Sequence, residues 1–265
     1  MIVISSSLVI SESDLTPDHP VVGYRNIVTT GNITAESVDP LYPETNLANP
    51  ATHLKWRSVV SGTQYLTIIP NSADPIDYVG IAKHNFADAG IAVSVEVDSG
   101  EGYSEVVSMA PGANTAQILR FSPVSCQSIR LKLWAGSLPP ELAVLYIGKL
   151  LVLPTKIWQG HTPITYGRRQ TVINGMSESG NFLGRIITGE WRETKQLFTL
   201  IQPGDYRDDV DDFFAEGKDT PFFFGWRPQT YPYEVGYAWL TNNPAPKNSA
   251  GHGLTEFELQ LSAVA

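Results

Sequence analysis

The chain has 265 residues, a formal net charge of −9, 17% charged and 10% aromatic residues, 22 Gly, 19 Pro and a single Cys. This length buries the core of one large domain or two ordinary ones, and the turn-rich, weakly charged profile excludes a helical bundle or a disordered tail. The acidic balance, with no basic cluster beyond Arg168-Arg169, excludes a nucleic-acid groove, and the lone Cys126 excludes an intrachain disulfide.

Met1 to Ile10 lacks the basic start and small-residue cleavage site of a signal peptide. The longest apolar run, Leu142 to Leu153, holds Gly148 and Lys149 and is too short to span a bilayer. The expectation is a soluble protein made in a reducing cytoplasm, without membrane insertion.

Residues 1–35 read as an N-terminal strand segment, with a polar turn from Glu12 to Pro20 and apolar pairs at Val21-Val22 and Ile27-Val28. From 36 to 153 the pattern is all-β. Ile91, Val93, Val95 and Val97 alternate with polar or small residues, as do Ile129, Leu131 and Leu133, which is the period of strands buried on one face. Asp98-Ser99-Gly100-Glu101-Gly102 carries turn chemistry, and Tyr103 to Val107 returns as the hairpin partner. Leu142 to Ile147 reads as a strand buried on both faces. Regular strands with turns between them predict a sandwich of jelly-roll or immunoglobulin-like type.

Pro154 marks a boundary, and 154–265 reads as a second β domain with one helix. Trp158, Tyr166 and Val172-Ile173 sit among polar residues, a Gly-rich link runs from Asn174 to Gly184, and strands follow at 185–191 and 198–201. A helix near 205–216 is predicted with Asp205 as its cap, Asp208 and Asp209 at the positive end of its dipole, and Gly217 as a left-handed stop. Its apolar stripe is Tyr206, Val210, Phe213 and Phe214. Strands resume at Pro221 to Trp226, Tyr233 to Leu240 and Phe257 to Leu261.

Two stretches carry a resemblance. Tyr42-Pro43-Glu44-Thr45-Asn46-Leu47 with Trp56-Arg57-Ser58, and Val79-Gly80-Ile81-Ala82-Lys83-His84-Asn85, resemble the opening of a discoidin-type, galactose-binding-like jelly-roll sandwich. The resemblance implies a fold used for binding and assembly, with Trp56 packed under the entry loop. The order strands, capped acidic helix, strands over Arg185 to Leu240 resembles the tail-tube-type β-sandwich of bacteriophage distal or minor tail proteins. That second resemblance implies a virion baseplate or tail component that forms rings with copies of itself beside other tail proteins.

The residues offer little chemistry. Asp205, Asp208, Asp209, Asp211 and Asp212 lack the glycine and closing glutamate of a calcium loop and read as a solvated helix face. His19, His53, His84, His161 and His252 show no zinc spacing, and neither a nucleophile elbow nor a phosphate loop is present. No enzyme activity, metal or cofactor is expected. Sugars dock on exposed aromatic faces beside polar groups, so the candidates are Trp56, Tyr65, Phe86 and Tyr103, with His84, Asn85 and Asp88 as polar partners. Phe86 and Tyr103 are expected to be exposed, whereas His84 and Asn85 are better explained as a brace for their loop.

Aromatic density in the second half is high. Phe222, Phe223, Phe224, Trp226, Tyr231, Tyr233, Tyr237 and Trp239 fall close together, more than one small core would hide. The expectation is a subunit interface built from Phe222, Phe224, Trp226, Arg227, Tyr231, Tyr233, Tyr237 and Trp239. The expected function is a structural tail component, with a carbohydrate-binding adhesin for host surface polysaccharide as the alternative.

Overall fold

The structure, a computed structural model, describes residues 1–10, 15–157, 160–248 and 253–264; Glu12, Trp158 and His252, named above, lie outside them. Eighteen strands, numbered along the chain, are present among the described residues, arranged in three sheets.

The front sheet has the order β3 (Ile33–Ala35), β5 (Gln64–Ile68), β10 (Ser128–Leu133), β7 (Val93–Asp98), β8 (Tyr103–Met109). The middle sheet has the order β1 (Ile2–Ile4), β9 (Gln117–Val124), β6 (Ile76–His84), β11 (Glu141–Gly148), β4 (Trp56–Arg57). Between them lies the sandwich core, filled by the inward residues of alternating strands: Val93, Val95, Val97, Ile129, Leu131 and Leu133 against Val79, Ile81, Leu145 and Ile147. The fold is all-β, and the sandwich draws β1 and β3 from before residue 36 as well as the strands expected between 36 and 153. The 98–102 turn also forms as its residues dictate. Gly100 and Gly102 take φ of 114° and 97°, and their amides donate to Asp98 Oδ1 at 2.8 and 3.0 Å.

The back sheet runs β12 (Leu151–Val152), β2 (Val21–Gly23), β15 (Phe222–Gly225), β16 (Val235–Leu240), β18 (Thr255–Val264), β14 (Phe182–Ile201), β13 (Arg168–Met176), with β17 (Lys247–Asn248) paired to β18. Residues 1–35 are therefore shared out: β1 joins the middle sheet, β2 the back sheet and β3 the front sheet.

The back sheet packs directly on the middle one. Tyr78, Ala82, Ile118, Val144 and Tyr146 face Phe223, Val235 and Tyr237 in a single buried cluster. Gly80 of the Val79-Gly80-Ile81-Ala82 stretch lets the two layers approach closely: a Cβ there would lie 2.5 Å from Phe223 Cδ2. Three phenols satisfy their hydroxyls across or beside the seam. Tyr146 donates to the Pro221 carbonyl (2.9 Å), Tyr237 to that of Pro50 (2.8 Å) and Tyr78 to that of Arg25 (2.5 Å).

The far face of the back sheet is covered by a helical segment over residues 203–217, an α-turn Pro203–Asp205, a π-turn Tyr206–Val210 and an α-helix Asp211–Gly217. Its stripe of Tyr206, Val210, Phe213 and Phe214 is buried against Phe198, Phe222, Phe224 and Phe257, as the spacing predicted. Two details differ. The segment opens at Gln202–Pro203 without a side-chain cap, so Asp205 lies inside it and caps nothing. Gly217 is not a left-handed stop either; it makes room for the Phe213 ring, whose Cε2 would lie 2.8 Å from a Cβ there.

This layering corrects the expected interface. Phe222, Phe224, Trp226 and Tyr237 are buried within the isolated chain and cannot face a neighbour. The expectation counted rings against one core, but β15 is buried on both faces: Phe223 goes to the middle sheet and Phe222 and Phe224 to the helix side. Arg227 is bound to Asp18 (Nε–Oδ2 2.8 Å), and Tyr231 stacks on Trp226 at 5.3 Å. Tyr231, Tyr233 and Trp239 are the exposed members of that set, and Arg227 is partly exposed.

Candidate functional site

Three places could carry function, and each is built from the local sequence. The first is the end of the sandwich formed by the two motif stretches. The Tyr42 ring faces Lys55 Nζ at 5.1 Å and the Arg57 guanidinium at 4.5 Å. Arg57 binds Asp39 through Nε (3.0 Å), Lys55 binds Glu141 (2.5 Å), and Asn46 donates to the Lys55 carbonyl (2.8 Å). Trp56 is fully buried and donates to the Ser37 carbonyl at 3.1 Å. Here the motif residues satisfy one another; they hold the entry loop to β11.

His84 and Asn85 belong to the same brace. Asn85 Nδ2 donates to the Pro139 carbonyl and its Oδ1 accepts the Glu141 amide, both at 2.9 Å. His84 Nδ1 accepts the Phe86 amide at 3.3 Å, leaving Nε2 to donate to the Thr115 carbonyl at 3.1 Å. Burial pushes the imidazole pKa down to about 4, so it is neutral near pH 7. Phe86, expected to be exposed, starts the one-turn helix α1 (Phe86–Ala89) and is fully buried, its ring stacked on His84 at 4.7 Å. The helical turn points it inward, where loop reasoning had left it in solvent. Asp88 is exposed. Tyr103 lies at the other end of β7, opposite Asp98, roughly 17 Å of strand away. The structure thus does not bring His84, Asn85, Phe86, Asp88 and Tyr103 into one site.

The second place is the outer face of the front sheet. The Arg130 guanidinium lies 3.7 Å from the Tyr103 ring centroid and 4.5 Å from that of Tyr65, and its Nε donates to Glu96 at 2.6 Å. Next to it Lys132 Nζ sits 3.8 Å from the ring of Trp134, whose indole N–H donates to Ser94 Oγ at 3.1 Å. The result is a flat belt of aromatic and charged groups across β5, β10, β7 and β8.

The third is the β13–β14 ribbon. β18 pairs with β14 only from Arg192 to Ile201, so residues 182–191 pair with β13 alone and reach about 30 Å past the sheet. Both faces of this free stretch carry apolar pairs among polar residues. Ile173 is opposite Ile186, Val172 opposite Ile187 and Met176 opposite Phe182, and Phe182, Leu183 and Ile186 are 63%, 69% and 65% exposed. The outer edge of β13 has no strand neighbour among the described residues. Sequence reasoning treated 174–184 as a link. The usable signal was Val172-Ile173 and Ile186-Ile187 flanking a Ser177-to-Asn181 turn with Gly180 at φ 81°, the pattern of a hairpin.

Among the described residues no three His, Cys, Asp or Glu side chains converge as metal ligands, and the helix carboxylates Asp208, Asp209, Asp211 and Asp212 are exposed.

No protein-family model matches the chain, and no curated protein matches it. Among solved structures it is similar to CpGH89CBM32-5 from Clostridium perfringens in complex with GalNAc-beta-1,3-galactose, at 16% identity over 45% of this chain and 96% of that one, TM-score 0.40. It is also similar to chitosan-binding module 1 of a chitosanase/glucanase from Paenibacillus sp. IK-5, at 14% identity over 46% of this chain and 98% of that one, TM-score 0.42. A third is the CBM32 of AlyQ in complex with 4,5-unsaturated mannuronic acid, at 22% identity over 47% of this chain and 95% of that one, TM-score 0.39. These likenesses cover under half of the chain and are too distant to carry a ligand or a role to it.

Proposed function

We propose that this protein is a structural subunit of a multi-copy assembly, in the setting that the element order of its C-terminal half resembles, a bacteriophage tail. The observation that supports this reading is the ribbon. A two-stranded hairpin is marginal in water by itself, and one that leaves Ile173, Met176, Phe182, Leu183, Ile186 and Ile187 exposed beside an open strand edge is a template for association. The sandwich rides rigidly on the same unit, because its middle sheet shares a buried core with the back sheet. In the ring that this reading calls for, the contact is heterologous, ribbon to a different patch of the next copy.

Light scattering over a wide concentration range tests this. The wild type is expected to associate. A variant with Phe182→Asp and Ile186→Asp is expected to stay monomeric with a melting temperature within a few degrees of the parent, since both side chains are already in water. A wild type that stays monomeric when concentrated and joins no assembly with tail proteins would sink the proposal.

A second reading is carbohydrate binding by the sandwich, favoured by the outer belt of Tyr65, Tyr103, Arg130 and Trp134. Glycan-array screening followed by calorimetry distinguishes it. Binding that falls at least tenfold in Tyr103→Ala or Trp134→Ala supports the belt as the site; binding unaffected by both moves it elsewhere, and none at all removes this reading. Phe86→Ala is not a fair probe, because it empties the core.

A further inference from the structure

Arg130 and Lys132 stand on the outer face of β10, one pleat repeat or about 7 Å apart. Arg130 is fixed on three sides: the Tyr65 ring comes in from β5, the Tyr103 ring from β8, and Nε is spent on Glu96. Its Nη1 and Nη2 donate to no described residue and are not sealed from solvent, and the side chain keeps 26% of its surface in water. Lys132 Nζ lies 3.8 Å from the Trp134 ring and 3.8 Å from Glu96 Oε1, too far for a hydrogen bond. Glu96 itself is 11% exposed and lies under both cations. Along this strand, then, the groups offered to water are a guanidinium edge, an ammonium and aromatic surface.

The flanks are acidic. Glu36, exposed beside β3 with its amide on the Tyr65 carbonyl, and Glu105, exposed on β8 opposite Glu96, each lie about two strand spacings, roughly 10 Å, from β10. An anionic ligand is attracted along β10 and repelled on either side of it. The guanidinium edge has the geometry of a carboxylate fork, and the stacked rings have already removed most of its freedom, so little ordering is left for binding to cost. A neutral sugar would stack on the rings and leave that fork to water.

We propose that the belt binds an acidic glycan, a chain of uronate sugars lying along β10 with a carboxylate on the Nη1–Nη2 edge of Arg130 and a neighbouring sugar at Lys132 and Trp134. This rests on the carbohydrate-binding reading of the belt given above and names the class of sugar.

The test is calorimetry on the full chain with β-1,4-linked tetraglucuronate. Cellotetraose is the neutral match, and tetraglutamate supplies carboxylates without sugar rings. Tetraglucuronate is expected to bind about tenfold tighter than either control and to weaken as salt is raised. Arg130→Lys, which keeps the charge beside Glu96 but loses the fork, is expected to weaken it about tenfold. Lys132→Gln, which leaves the Arg130–Glu96 pair whole, is expected to weaken it about threefold and carries the test alone should Arg130→Lys unfold. Cellotetraose binding as tightly as tetraglucuronate, or tetraglucuronate binding that both variants keep, would overturn the acidic-sugar assignment and leave the belt open as a site for other sugars. Tetraglutamate matching tetraglucuronate would overturn it by reducing the belt to a charged patch. If neither tetraglucuronate nor any glycan on an array binds, the assignment and the carbohydrate reading fall together.

Discussion

Gly80→Val is expected to destabilise the protein by about 3 kcal/mol or more, although it adds only an apolar side chain to a strand of good β-propensity. The reason is the third layer. A Cβ at position 80 would stand 2.5 Å from Phe223 Cδ2 and 2.6 Å from Cε2. Neither side can yield. β6 is paired on both edges, Gly80 to Ile118 of β9 and to Tyr146 of β11, so its backbone cannot withdraw. Phe223 is held by Tyr146 and Tyr237, with ring centroids at 5.6 and 5.0 Å. Phe223→Ala alone is expected to cost about 3–5 kcal/mol through the cavity that it leaves. Combined, the two changes relieve each other, and the double variant is expected to be less destabilised than the sum. Urea denaturation of the four proteins measures this coupling. A Gly80→Val protein within about 1 kcal/mol of the wild type would mean that the two sheets do not pack as described.

That expectation also shows where the sequence was readable and where it was not. The front sheet was legible because its strands alternate: Val93, Val95 and Val97, then Ile129, Leu131 and Leu133, each bury one side in the sandwich core. The helix stripe was legible for the same reason at a different period. What periodicity cannot give is the number of layers. In Ile76 to His84 nearly every position is buried, and an uninterrupted run says only that both faces are covered, not by what. Phe222 to Phe224 is the complementary run, so counting its rings against a single core produced an interface that the chain fills by itself. The sugar candidates failed more locally. Phe86 was placed in a loop, and a single turn of helix closed at Gly90 (φ 66°) is enough to send it inward. The ribbon was missed because its glycines read as a linker, when Gly180 marks a tight turn between two long strands.

Between pH 4 and 6 two buried groups are expected to oppose each other, so the wild type hides effects that single variants expose. His84 is held neutral by burial with a pKa of about 4, against about 6.5 in an unfolded chain. Its share of stability is complete above pH 6.5. As pH falls towards 4 the unfolded state takes up a proton that the native state refuses, a loss of about 3 kcal/mol. Asp77 runs the other way. Burial, outweighing the Leu150 amide bond and the nearby Arg120, raises its pKa to about 6 from 3.8. Above pH 6 it carries a charge that burial penalises, and as pH falls from 6 to 3.8 the native state binds the proton first and regains about 3 kcal/mol. Asp77→Asn keeps an oxygen for the Leu150 amide and removes the charge. It is expected to be more stable than the wild type at pH 8 and to lose stability steeply below pH 6, with the His84 term unmasked. His84→Gln, which keeps a donor for the Thr115 carbonyl, is expected to be weaker at pH 8 yet to gain stability as the solution is acidified to pH 4.5. Urea midpoints for the three proteins at pH 4.5, 6 and 8 decide the matter. Three parallel profiles would show that neither group titrates abnormally, and the neutral His84 brace and the charged Asp77 beside Arg120 would both need revision.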